Sequence, residues 1–144
     1  MADMDRDVKI LVVEDDQDQA DALKIVLEAE GYDTLHALDA PRGLALARAE
    51  RPDLILLDVM MPTGTEGFHF VWDLRKDPDP AVKGVPIIVM TAIHEKTKLR
   101  FYPDQADPEY QPGEYLPVQA FLDKPVKSEA LLSEVKAALT GRGL

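Results

Sequence analysis

DLILLD, residues 53–58, decides how this chain folds. Leu54, Ile55, Leu56 and Leu57 are apolar in succession. A strand with one wet face alternates apolar and polar residues. A strand apolar at every position is buried on both faces, as parallel strands are. The run closes on a carboxylate, Asp58. An ionised carboxylate taken out of water alone is costly, so it is normally neutralised, paired or given a metal. Asp58 is therefore either a strand-end charge at the surface or the centre of a site.

The same punctuation recurs along the chain. KILVV (9–13) is an apolar run that ends abruptly in the acids of EDD (14–16). In DQADALKIVLEAEG (18–31), Ala20, Leu23, Val26, Leu27 and Glu30 fall near helical spacing, with Gly31 as the stop. TLHAL (34–38) reads as a short strand. Asp39 can cap a helix over Ala40–Glu50, with Pro41 tolerated in the first turn and Arg51-Pro52 ending it. After DLILLD, the loop PTGTEG (62–67) leads into the helical stretch FHFVWDLRK (68–76) and the Pro-punctuated turn DPDPAVKGVP (77–86). PIIVMT (86–91) and AFLDKP (120–125) read as a fourth and a fifth strand. SEALLSEVKAAL (128–139) forms a last helix whose apolar stripe is Leu131, Leu132, Val135, Ala138 and Leu139. Strands alternating with helices imply an α/β fold, an open parallel sheet covered on both faces.

Residues 93–118 break the pattern. A helix candidate, IHEKTKLRF (93–101), runs into YPDQADPEYQPGEYLPV (102–118), where Pro103, Pro108, Pro112 and Pro117 alternate with tyrosines. That stretch is too proline-rich for a helix and long for a connection.

Composition narrows the function classes. The 144 residues fit one domain, and 46% are apolar, enough for a core. The absence of cysteine excludes disulfides, thiolate metal sites and thiol nucleophiles. The N-terminal MADMDRDVK is polar and acidic, unlike a signal peptide. The apolar runs are far shorter than the roughly 20 residues a membrane helix needs. A soluble cytoplasmic protein without membrane insertion is expected. The formal net charge of −11 repels nucleic-acid phosphates, so direct DNA or RNA binding is disfavoured.

In such sheets, ligands bind outside the carboxyl ends of the strands. Glu14 and Asp15 follow the first strand, Asp58 ends the third, Thr91 the fourth, and Lys124-Pro125 follows the fifth. Three carboxylates in one pocket raise one another's pKa, and a hard divalent cation removes that conflict. Mg²⁺ suits one or two carboxylates with carbonyls, waters and phosphate oxygens. Such a site can receive a phosphoryl group. Asp58 would attack as nucleophile to give an acyl phosphate, while Lys124 and the metal stabilise the oxygens and Thr91 donates a hydrogen bond. Each residue alone has an ordinary explanation as strand-end solvation, a cap or a surface charge; the joint placement at four strand ends favours a site.

The pieces ILVVEDD (10–16), LILLDVMMP (54–62), VMTA (89–92) and FLDKP (121–125), in this order, resemble the receiver domain of two-component response regulators, including the single-domain chemotaxis type. The resemblance implies a flavodoxin-like doubly wound sheet of order 2-1-3-4-5. It implies a receiver over residues 8–140, with a polar tail at 1–7, a Pro/Tyr-rich insertion around 101–118 and a C-terminal tail at 141–144. It makes Asp58 the phosphoacceptor, Asp15 a direct Mg²⁺ ligand, Glu14 the second acid and Met60 a ligand through its backbone carbonyl. Thr91 and Lys124 become the phosphoryl-sensing pair, Ala92 the small neighbour of the phosphoryl site and Phe121 the switch aromatic. The Lys124–Pro125 bond is expected to be cis, a state that X–Pro bonds reach cheaply. The partners implied are a sensor histidine kinase or histidine phosphotransfer protein and a downstream effector, and a homodimer is compatible.

EDD offers two acid pairs. Glu14-Asp15 is taken because the family's pair directly follows the last apolar residue of the strand, here Val13, which leaves Asp16 to the loop or the helix start. Two departures stand out. PTGTEG is a residue longer than the family's common loop, and the connection from Thr91 to Lys124 is longer than in a minimal receiver. In the family that second region carries much of the output face. Here it is either a surface insertion packed on its own tyrosines or a docking surface or lid, since tyrosine joins apolar area to a hydrogen-bonding tip.

Three other readings compete. A phosphorylation-independent binding module would use the 93–118 loop. An aspartate-nucleophile phosphohydrolase would place its nucleophile after the first strand rather than the third. A flavin protein would carry a Ser/Thr/Gly-rich phosphate loop after strand one, which EDD is not. His36, His69 and His94 share no metal-ligand spacing, and Phe68, Phe70 and Trp72 read as helix packing.

Overall fold

The structure, a computed structural model, describes residues 8–58, 66–91 and 120–141. Its strands are β1 (Lys9–Val13), β2 (Asp33–Ala37), β3 (Leu54–Asp58), β4 (Ile87–Thr91) and β5 (Ala120–Asp123). Its helices are α1 (Gln17–Ala29), α2 (Ala40–Glu50), α3 (Glu66–Arg75), a single turn α4 (Pro80–Lys83) and α5 (Ser128–Gly141). All neighbouring strands are parallel, in the order β2-β1-β3-β4-β5. This is the flavodoxin-like doubly wound arrangement.

β3 lies between β1 and β4, and every one of its residues is buried. Its side chains alternate between two cores. Ile55 and Leu57 join Leu11, Val13, Phe70 and Leu74 on the face covered by α2 and α3. Leu54 and Leu56 join Ile10, Val12 and residues of α1 and α5, among them Leu27 and Leu131, on the other. Each such side chain stabilises the fold by about 1.5–3 kcal/mol, which explains why the strand tolerates no polar residue before its last position.

The helix signals act through identifiable groups. Asp16 caps α1, its Oδ1 accepting from the Gln19 N–H at 3.0 Å, and Gly31 takes φ +95° just beyond the helix. Asp39 caps α2 through the Arg42 N–H at 2.9 Å, and Arg51 closes it in the left-handed region at φ 48°. Most boundaries shift by one or two residues from expectation, α3 for example opening at Glu66 rather than Phe68, and three differences have a visible local setting. α1 opens at Gln17, directly after its cap. β2 runs over 33–37 rather than 34–38, because Asp33 pairs with Lys9 and Leu38 is exposed. The stretch 77–86 holds a helical turn, because Asp79 accepts from the Ala81 N–H at 2.9 Å and so caps it.

Nothing in the sequence pattern marks Gly43. It sits where α2 presses on the sheet: a Cβ there would lie 2.9 Å from Val13 Cγ2 and 3.1 Å from Phe70 Cε1. Val13 and Phe70 are fully packed, so neither can give way freely. Gly43→Ala gains up to about 1 kcal/mol of helix propensity but overpacks the interface at a cost of roughly 1–3 kcal/mol. It should lower the urea midpoint, and Val13→Ala should cost less in the Gly43→Ala background than in the wild type. Equal or higher stability of Gly43→Ala would contradict this packing.

Candidate functional site

The site forms where β1, β3 and β5 run out. β1 ends at Val13, and the next residue, Glu14, turns its carboxylate inward, leaving it 1% exposed. Asp58, the last residue of β3, is 2% exposed. Asp15 is exposed beside them. One carboxylate oxygen from each of Glu14, Asp15 and Asp58 lies within 4.8 Å of the others. Asp16 points elsewhere, being occupied as the α1 cap.

Lys124 reaches this cluster from the residue after β5. Its Nζ lies 3.0 Å from Asp58 Oδ2, 3.2 Å from Glu14 Oε1 and 2.8 Å from Gln19 Oε1. The three donors of the ammonium can thus meet three acceptors. The Lys124–Pro125 peptide bond that follows is cis.

A single ammonium does not balance three carboxylates. Burial, a hydrogen bond to Asp58 and the negative charge of Asp58 push the Glu14 carboxyl up to about 8, against the opposing pull of Lys124 and of the Asp16 N–H. In the metal-free protein the pocket thus favours the protonated form of Glu14 far more than water does. The donor set fits a hard divalent cation: clustered carboxylate oxygens, two of the three groups buried, and a charge conflict that a cation relieves.

The remaining expected residues fall as follows. Thr91 ends β4, its backbone paired with Asp123, and Phe121 lies in β5 opposite Val89. The side chains of Thr91 and Phe121, together with Met60, Ala92 and the whole 93–118 segment, lie outside the described residues. The expected tail 1–7 does too, and of the expected tail 141–144 only Gly141 is described, as the last residue of α5.

Two residues at the site were not singled out for it by sequence pattern. Gln19 sits in the first turn of α1, the helix that follows the acids directly, and that position is the signal that could have found it. His36 on β2 places Nε2 2.7 Å from the Glu14 carbonyl oxygen; the pairing that sets it opposite Val12 is invisible in sequence. Beside Lys124, a groove of about 290 Å³ runs between α1 and α5, lined by Gln19, Ala22, Leu23, Val26, Val126 and Leu131 among others. Ile25, 69% exposed, lies on the same helix. No described helix is long and apolar enough to cross a membrane.

Compared with known proteins, the chain matches the family model described as "Response regulator receiver domain" over residues 10–136. It is 33% identical over 133 residues to Protein PilH of Pseudomonas aeruginosa, covering 92% of this chain and 98% of that protein. It is 34% identical over 132 residues to the DNA-binding dual master transcriptional regulator RpaA of Synechocystis sp., covering 91% of this chain but 48% of that protein. The chain thus spans about half the length of that relative. Among solved structures, chemotaxis protein CheY4 of Vibrio cholerae aligns with a TM-score of 0.75 at 28% identity, over 92% of this chain and 99% of that one.

The raised Glu14 carboxyl has a signed consequence. Between its ordinary value of 4.5 and about 8 the folded protein binds a proton that the unfolded chain has released. Stability from this group is complete below that window and is lost as pH rises through it. Metal-free protein should therefore lose thermal stability from pH 5 to about 8 more steeply than Glu14→Gln does, and saturating Mg²⁺ should flatten the difference. Parallel metal-free profiles of the two proteins would contradict the charge arrangement.

Proposed function

The chain belongs to the response regulator receiver domain family, and from that premise we propose that Asp58 accepts a phosphoryl group from a sensor histidine kinase or a histidine phosphotransfer protein. The signal then passes to a downstream effector by protein contact. The observation that carries the proposal is the buried Asp58 carboxylate, held 3.0 Å from Lys124 Nζ with Glu14 and Asp15 beside it. A buried salt bridge is a poor way to gain stability, because desolvating both charges offsets much of their attraction. Function is the better account of why these residues share a pocket.

The transfer is a displacement at phosphorus. An Asp58 oxygen forms the new P–O bond as the P–N bond to the donor imidazole breaks, and the ring, already protonated on its other nitrogen, leaves as neutral imidazole. Lys124 exchanges a carboxylate acceptor for a phosphoryl oxygen, and the Thr91 hydroxyl donates to another. Mg²⁺, when bound, supplies positive charge against those oxygens. Asp15 and Asp58 would hold it directly, Glu14 through water and Met60 through its backbone carbonyl. Attack of water on phosphorus then releases inorganic phosphate and restores the carboxylate. The protein catalyses only its own phosphorylation and dephosphorylation.

The receiver in this proposal runs from residue 8 to the end of α5 at Gly141, between tails at 1–7 and 142–144, and the protein acts in the cytoplasm. Ala92 leaves room beside the phosphoryl group, and Phe121 with Thr91 conveys its presence. The insertion around 101–118 lies in the segment through which the family presents its output. The groove beside Lys124 supports docking of a phosphodonor, because Lys124, which lines it, also holds the accepting carboxylate of Asp58.

Purified protein incubated with acetyl phosphate should gain the mass of one phosphoryl group, only with Mg²⁺ and not in Asp58→Asn. Lys124→Ala should slow the gain by about 10²–10³-fold, the usual loss for one positioned donor to developing charge. A full gain in Asp58→Asn would move the acceptor elsewhere. No gain in the wild type, beside a control receiver that is phosphorylated, would reject the proposal.

A further inference from the structure

The last carbonyl before the exposed metal-binding acid needs a partner, and a side chain supplies it. β2 stops at Ala37 and turns away at Leu38 and Asp39 to begin α2. The Glu14 N–H still reaches the Ala37 carbonyl at 3.0 Å. The Glu14 carbonyl is met by the half-buried His36 ring, whose Nε2 lies 2.7 Å away. A carbonyl oxygen only accepts, so that nitrogen must carry the proton. β2 therefore holds Glu14 through both backbone groups, once with its main chain and once with His36.

From this geometry we infer that His36 is a positioning residue for the cation site. The carbonyl it binds belongs to the peptide plane that joins Glu14 to Asp15, and that plane is rigid. Fixing its oxygen fixes the direction in which the chain enters Asp15. Asp15 is the exposed member of the carboxylate cluster, and the packing that immobilises Glu14 and Asp58 does not enclose it. His36 thus does for a backbone what outer partners of metal ligands do for side chains: it sets the ligand's orientation before the ion arrives. Its sequence neighbours Leu35 and Ala37 belong to the opposite core, so the ring lies on the other face of the sheet, the side of Val12. The inference rests on the proposed Mg²⁺ site and adds a residue to it.

Two substitutions separate the donor from the ring. A glutamine side chain at this position would carry an amide N–H near the place of Nε2, whereas that of asparagine is too short to reach the carbonyl. By calorimetry, His36→Asn should weaken Mg²⁺ binding by about tenfold, the lower end of what losing an outer partner costs. His36→Gln should stay close to wild type. In the metal-free wild type, ¹⁵N spectra should show the His36 proton on Nε2, independently of any variant. Wild-type affinity in His36→Asn, equal losses in the two variants, or a proton on Nδ1 alone would overturn the assignment to His36. Absence of Mg²⁺ binding in the wild type would instead remove the site beneath it.

Discussion

One ammonium, Lys124, sits between two buried carboxylates, Glu14 and Asp58, at the ends of the neighbouring strands β1 and β3. Glu14 and Lys124 are 110 positions apart in sequence, and their side chains meet at 3.2 Å. Neither acid could stay in its place without compensation, because an isolated buried carboxylate is expelled or neutralised. The contact therefore requires β1, β3 and β5 to end at one level, which the parallel registers across the sheet enforce. The apolar strands press the acids into a place that water cannot fully serve, and Lys124 makes that place tolerable.

The compensation is incomplete, and the incompleteness gives the pocket its chemistry. Burial and the neighbouring Asp58 disfavour the charge on Glu14 and raise its carboxyl well above the ordinary range. A divalent cation can displace a proton held there and satisfy the same oxygens. A fully balanced ion pair would offer an incoming cation or phosphoryl oxygen much less. Gln19 and His36 support the same arrangement: the first adds an acceptor to the lysine, the second holds the carbonyl behind the acids.

Much of this was legible in the sequence because the decisive signals are local. LILL followed by Asp58, and ILVV followed by Glu14-Asp15, announce a two-sided strand and an acidic end within a few residues. Asp39 and Gly31 mark helix ends by chemistry acting over one turn. The order of strands came from resemblance to a family, since periodicity does not rank neighbours. What stayed unread depends on distance. The role of His36 follows from a strand pairing, that of Gly43 from the approach of α2 to β1, and the helical turn at Pro80 from one aspartate cap inside a proline-rich run. In each case a tertiary contact or a single hydrogen bond decides, and neither leaves a period in the sequence.

Everything proposed for the pocket depends on whether its carboxylates share a cation. Crystals of the protein soaked in Mn²⁺, a Mg²⁺ surrogate visible by anomalous scattering, would decide it directly. One anomalous peak is expected at the carboxyl ends of β1 and β3, within about 2.0–2.3 Å of oxygens from Asp15 and Asp58, allowing slightly longer bonds than Mg²⁺ makes. A peak elsewhere, or an empty pocket with Lys124 still bridging Glu14 and Asp58, would contradict a shared cation.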